Sequence, residues 1–327
     1  MRKRILALPI AALALSLLGA TPALAHDGHG VAAPVAAPVA APVAAAPSTS
    51  SAPAPAADSP LDSKPLFLAA QLSGAQEVPV AGGPAVGDPD GEATALVKVK
   101  GARITFSFRW SGITAPTLGH IHAGAAGVNG PVKVGLFTEP MPATATAAAG
   151  AVTITDPQVA AAIRANPSAF YANLHSSQFP GGAVRGQLVP LGQRADLLGV
   201  VRPGRLRAFL SGDQEVPVAG GPAVGDPDGR AIAFLRPNGD QVGYSLAWVG
   251  IAPTLGHIHQ GKAGVNGPVV VPLFTEKVPS TVFALSGVVS NLDTALVQKI
   301  RRTPTDFYAN LHTTEFPGGA VRGQLFR

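Results

Sequence analysis

From Leu66 onward the chain is a series of short runs in which apolar and polar residues alternate, broken by Gly, Pro and Asp. The clearest run is Arg103–Trp110. Ile104, Phe106, Phe108 and Trp110 fall on one face, and Arg103, Thr105, Ser107 and Arg109 on the other. A period of two predicts a half-buried antiparallel strand. Leu66–Leu72, Ala93–Val99, Val132–Phe137 and Val184–Leu188 read as further strands. One short helix fits the pattern, with Asp156 as cap, Pro157 in its first turn and Asn166-Pro167 at its end. Many short strands with Gly/Pro/Asp turns predict an all-β sandwich or barrel with one short helix.

The same pattern then returns. LSGAQEVPVAGGPAVGDPDG at 72–91 recurs, with one change, at 210–229. APTLGHIH at 115–122 recurs at 252–259, FYANLH at 170–175 recurs at 307–312, and FPGGAVRGQL at 179–188 recurs at 316–325. The strand Gln241–Val249 repeats the alternation with other side chains, Val242, Tyr244, Leu246 and Trp248. The offset slips from 138 to 137 residues beside Thr114. Two tandem domains are predicted, at 64–191 and 204–327, joined by a segment at 192–203, the second with its helix from about Asp293 to Arg302.

The first 63 residues read differently. Met1–Arg4 is cationic, Ile5–Leu18 is mostly apolar, and Ala23-Leu24-Ala25 has the small-x-small pattern of a cleavage site. Residues 1–25 are therefore expected to be a signal peptide. Residues 26–63 read as a linker: Val31–Ala57 holds only Ala, Pro, Val, Ser and Thr, with prolines that block helix and ladder alike. His26-Asp27-Gly28-His29 before it reads as a short polar leader. The mature chain is expected to be exported, with no transmembrane span and an extracellular or cell-envelope ligand. Composition narrows the chemistry further. No Cys among 327 residues excludes disulfides and thiolate sites. With Arg2, Lys3 and Arg4 in the signal, 21 basic residues face 19 acidic ones, which gives no electrostatic footprint for nucleic acid.

LSGAQEVPV, GHIHAGAAGVNGPV and YANLHSSQFPGGAVRGQL, present in both units, resemble the three blocks of the CHRD domain, over about 125 residues each. The resemblance implies an immunoglobulin-like, Greek-key type of β fold in extracellular proteins and fixes no chemistry.

Chemistry rests on six histidines: His120, His122 and His175, with His257, His259 and His312 in the second unit. Residues two apart on a strand share a face, so His120 and His122 point the same way. If aliphatic residues mark the core, these histidines point away from it together with Asn173, Arg185 and Gln187, and in the second unit with Asn310, Arg322 and Gln324. A polar cluster on the outer face or rim is predicted. Three neutral imidazoles suit copper or zinc. His-x-His with a distant His is similar to part of the copper site of Cu/Zn superoxide dismutase, although no fourth His follows at a matching place. The alternative is a network of hydrogen bonds that fastens loops. Glu77, in the QEVP block, and its counterpart Glu215 could approach a metal, but an ion pair of Glu77 with Arg185 is the expectation. VGDPDG reads as a tight turn rather than a calcium loop, and no nucleophile elbow or triad appears. Three functions remain: a non-catalytic binding or adhesion protein, a protein that holds copper or zinc at one three-His site per domain, and a redox enzyme built on such a site.

Overall fold

The alternation at Arg103–Trp110 becomes the third strand of a computed structural model that describes residues 64–327. The expected signal peptide, the 26–63 linker and the His26–His29 leader lie outside the described residues. The first repeat contains β1 (Leu66–Ser73), β2 (Glu92–Lys100), β3 (Arg103–Ser111), β4 (Leu118–Ala123), β5 (Val132–Phe137), β6 (Ala145–Thr153), α1 (Pro157–Ala165), β7 (Phe170–His175), β8 (Val184–Gln187) and the two-residue β9 (Val189–Pro190). The second contains β10 (Leu206–Ser211), β11 (Arg230–Asn238), β12 (Gln241–Val249), β13 (Leu255–Gln260), β14 (Val269–Phe274), β15 (Val282–Val289), α2 (Thr294–Arg302), β16 (Phe307–His312) and β17 (Val321–Gln324). Asp156 and Asp293 cap the two helices, accepting from the backbone N–H of Gln158 and Ala295 at 2.8 Å each.

All ladder pairings between strands are antiparallel. In the first repeat the hydrogen-bonded order is β5-β4-β7-β8-β1-β2-β3-β6. The second repeats it as β14-β13-β16-β17-β10-β11-β12-β15. Each sheet folds over on itself as a sandwich. The Phe137 ring of β5 sits 6.3 Å from both Phe106 and Phe108 of β3, and Ile104, Ile121, Leu136, Leu174 and Val184 are fully buried in the same core. Trp110 and Trp248 lie at its edge, 5% exposed, as the alternation predicted.

The two repeats share one ladder. β6 pairs with β15, with Ala148 opposite Leu285 and Ala147 opposite Ser286. Tyr244, which stands where the first repeat has Phe106, reaches across to Thr144 Oγ1 at 2.9 Å. Gly287 is needed here, because a Cβ on it would collide with the Tyr244 hydroxyl and the Thr144 carbonyl. The segment 192–203 is packed rather than free: Leu197 and Val200 are buried, and Val200 sits on Ala147, Ala149 and Ala284. The outer face of β3 and β12 is therefore covered instead of solvated. Ser107 and Ser245 are buried, and Ser286 Oγ donates to the Val200 carbonyl at 2.6 Å. Arg109, expected to be exposed, is half-buried, and its guanidinium donates to the Gly199 carbonyl at 3.2 Å.

Candidate metal centre

β4 lies between β5 and β7, and this position sets the histidines. His120 is opposite Asn173 and His122 opposite Tyr171, which places His175 two residues along β7 from the partner of His120. Gly119 fixes how close β4 comes to β5, because a Cβ there would strike the Phe137 ring. Ile121 points into the core, fully buried, so its two neighbours must point out.

The three rings converge. One ring nitrogen from each of His120, His122 and His175 lies within 4.8 Å of the others, and His257, His259 and His312 do the same. His120 Nδ1 is 3.1 Å from His175 Nε2, and His257 Nδ1 is 3.2 Å from His312 Nε2. These are hydrogen-bond distances, and they also come close to the separation of about 3.3 Å between two nitrogens bound to one tetrahedral ion at ~2.05 Å.

Backbone carbonyls fix the tautomers. His122 Nδ1–H donates to the Gly130 carbonyl at 2.9 Å, and His175 Nδ1–H to the Pro180 carbonyl at 2.9 Å. Each therefore presents an Nε2 lone pair. Their counterparts His259 and His312 use Gly267 and Pro317 at 3.0 Å. His122 Nε2 and His259 Nε2 are buried and meet no hydrogen-bond partner among the described residues. A hydrogen-bonded network has no use for a buried acceptor left bare, whereas a cation does.

Burial pulls all six imidazoles below their ordinary value of 6.5, and at His120, His122, His257 and His259 the neighbouring rings add to it. His120 and His257 fall to about 4. Neutral rings are ready to ligate.

The surrounding shell corrects one expectation. The cluster lies on the face away from the core, with His120 and His122 half-buried, and the loops 74–91 and 124–131 pack against its neighbours Asn173 and Arg185. Arg185 is 2% exposed. Its guanidinium donates to Asn129 Oδ1 at 3.0 Å and to the Ala125 and Val128 carbonyls at 3.0 and 2.7 Å. Asn129 Nδ2 in turn donates to the Val78 carbonyl at 2.8 Å. Arg322 repeats this with Asn266, Lys262 and Val265. The correction concerns Glu77. The expected ion pair with Arg185 does not form: among the described residues the one salt bridge joins Lys277 to Glu139. Glu77 instead accepts from Asn173 Nδ2 at 2.7 Å and lies against Gly182, and Glu215 accepts from Asn310 at 2.9 Å. The arginine spends its fork on loop carbonyls. Burial outweighs its distant charge and raises both carboxyls to about 7.

Gln187 does not join the histidines. It anchors loop 124–131 from the far end of β8, donating to the Gly124 carbonyl at 2.7 Å, and Gln324 does the same with Gly261 at 2.8 Å. Asp226 Oδ1 accepts from the N–H of Asp228 and Gly229, and Asp88 Oδ1 from that of Asp90, so VGDPDG is the tight turn expected. Two participants were given no role by the sequence reading, Tyr171 and Tyr308. The His122 ring stacks on Tyr171 at 4.8 Å and 9°, and the Arg185 guanidinium lies 3.5 Å from the same ring. Tyr171 shares the face of Asn173 and His175, and that parity was the available signal.

Comparison with known proteins agrees with the repeat. The family model of the CHRD domain matches twice, at residues 68–188 and 206–325. No curated protein matches the chain.

Proposed function

The chain belongs to the CHRD domain family, as a tandem pair of β domains of binding type, and from that premise we propose that each domain binds one copper or zinc ion. The ligands are His120, His122 and His175 in the first domain, and His257, His259 and His312 in the second. One observation carries the reading: three neutral imidazoles converge within 4.8 Å while a buried Nε2 stands without a partner. His122 and His175 offer Nε2, and His120 offers Nδ1 once its proton moves to Nε2. The carbonyls of Gly130 and Pro180 hold the first two rings in orientation, and Tyr171 backs His122 as a flat support. Three protein ligands leave a fourth position for water or a small ligand. With no Cys and no carboxylate in either cluster, the donors are all imidazole, a set that suits copper or zinc.

Export is part of the same proposal. It rests on the cationic, apolar and Ala-x-Ala pattern of residues 1–25, with 26–63 as a spacer before domains at 64–191 and 204–327. No helix of the described residues is long and apolar enough to cross a membrane.

Metal analysis of the tag-free chain tests the reading. Two equivalents of copper or zinc per chain are expected, falling to none in the His122→Ala/His259→Ala double variant, with its β-type circular dichroism retained. A wild-type chain that takes up no metal, with a double variant that unfolds, would instead establish the histidines as a fastening network in a binding or adhesion protein.

A further inference from the structure

At the end of the second repeat that carries the C-terminus of α2, five arginines gather without a counter-charge. Arg301 and Arg302 end α2, Arg205 precedes β10, Arg236 lies near the end of β11, and Arg327 follows β17. They line two cavities of about 420 and 300 Å³, and both cavities include Arg205 and Arg301. All but the half-buried Arg236 are exposed. None is within ion-pair distance of a carboxylate among the described residues, not even Asp240, which follows Asn238 at the cavity wall by two residues.

Two of these side chains are oriented without being neutralised. The Arg236 guanidinium donates to the Arg202 and Tyr244 carbonyls at 2.8 and 3.0 Å, and Arg327 to those of Arg301 and Arg302 at 3.4 and 3.3 Å. The negative end of the helix dipole accounts for Arg301 and Arg302. It does not account for three further arginines, drawn from three other segments, at the same two cavities. The equivalent positions in the first repeat are Phe67, Lys98, Arg164, Ala165 and Pro190, only two of them cationic, so the crowding is not required by the fold.

We propose that this end of the second repeat is a binding site for a multivalent phosphate-type anion. The guanidinium fork matches phosphate oxygens two at a time. Two adjoining cavities that share Arg205 and Arg301 ask for at least two linked anionic groups, because a single orthophosphate would leave one cavity unmatched. Such groups occur in soluble oligophosphates and side by side in anionic lipid headgroups, and the surface recognises the chemistry common to both.

Calorimetric titration of the full chain with tripolyphosphate at low salt tests this, alongside co-sedimentation with phosphatidylglycerol vesicles. Tripolyphosphate is expected to bind more tightly than orthophosphate, and to weaken as salt rises. Arg301→Gln/Arg302→Gln should lower its affinity at least about tenfold. Lys133→Gln/Lys262→Gln removes as much charge from exposed positions outside the cavities and should change it less than about twofold. His122→Ala/His259→Ala should leave it unchanged, which separates this site from the metal reading. If vesicles bind with the same arginine dependence, the anion is a lipid headgroup. If tripolyphosphate alone binds, it is soluble. Binding of neither, or equal losses in the arginine and lysine variants, would overturn the proposal.

Discussion

The central strands and the histidine-bearing strands of this molecule have been treated differently by its internal repetition. On the core face of β3 and β12, Ile104 becomes Val242, Phe106 becomes Tyr244 and Phe108 becomes Leu246, and only the tryptophan stays. On β4, β7 and β8 the two histidines of His-x-His, Tyr171, Asn173, His175, Arg185 and Gln187 all recur, and so does their geometry. His120–His175 and His257–His312 are separated by 3.1 and 3.2 Å. The His–Tyr stacks are 4.8 and 4.7 Å, both at 9°. The arginines lie 3.5 and 3.4 Å from the tyrosine ring centres. The core face asks only for apolar volume, which several side chains supply. The histidine face asks for particular atoms at particular places, which one set supplies.

That contrast can be broken by substitution, with chemical denaturation as the readout. The largest effect is expected where the core face is not tolerant: Trp110→Ala or Trp248→Ala should cost about 3–5 kcal/mol. Next, Arg185→Lys keeps the charge but loses the fork that serves Asn129 and two loop carbonyls, and should cost about 1–3 kcal/mol. Phe108→Leu imports the residue of the second repeat into the first, and should cost less than about 1.5 kcal/mol. A larger loss from Phe108→Leu than from Arg185→Lys would reverse the comparison. Smallest is Tyr244→Phe, which deletes the hydroxyl that bonds Thr144 across the repeats while Thr144 keeps the Leu273 carbonyl. It should cost about 0.5–1.5 kcal/mol.

pH sharpens the comparison, because the histidine face holds the groups shifted within the range between pH 4 and 7. The imidazoles are depressed below 6.5, so their contribution to stability is complete above that value and is lost as pH falls toward 4. Glu77 and Glu215 are raised from 4.5 to about 7, so theirs is complete below 4.5 and is lost as pH rises through 7. The two contributions oppose each other between pH 4.5 and 6.5, so Glu77→Gln/Glu215→Gln should make the rise of stability with pH steeper there and remove the loss toward pH 7. An unchanged profile on the neutral side would show that the two carboxyls are not held protonated.

The fold was legible where the chain alternates. Arg103–Trp110 gave its faces, Asp156 and Asp293 their helix caps, and His-x-His its shared side. β6 was not, because Ala145–Thr153 is almost all small and apolar and shows no alternation. Its pairing with β15, and the covering of the outer face by Leu197 and Val200, rest on long-range contacts that no local pattern announces. The same limit applied at the site. Parity brought the three histidines, Asn173 and Arg185 to one face. It could not show that loop 124–131 would close over Arg185, that Arg185 would turn to loop carbonyls rather than to Glu77, or that partial burial would lower the imidazoles. Ordinary imidazoles would lose metal as pH falls through about 6.5, whereas rings held below that value should retain it further down.

Calorimetric titration of the metal-free, tag-free chain with Cu²⁺ or Zn²⁺ at neutral pH tests the central claim most directly. The account predicts two equivalents for the wild type, one for His122→Ala or His259→Ala, and none for the double variant. A stoichiometry that does not follow the histidines in this way, or no uptake by the wild type, would contradict it.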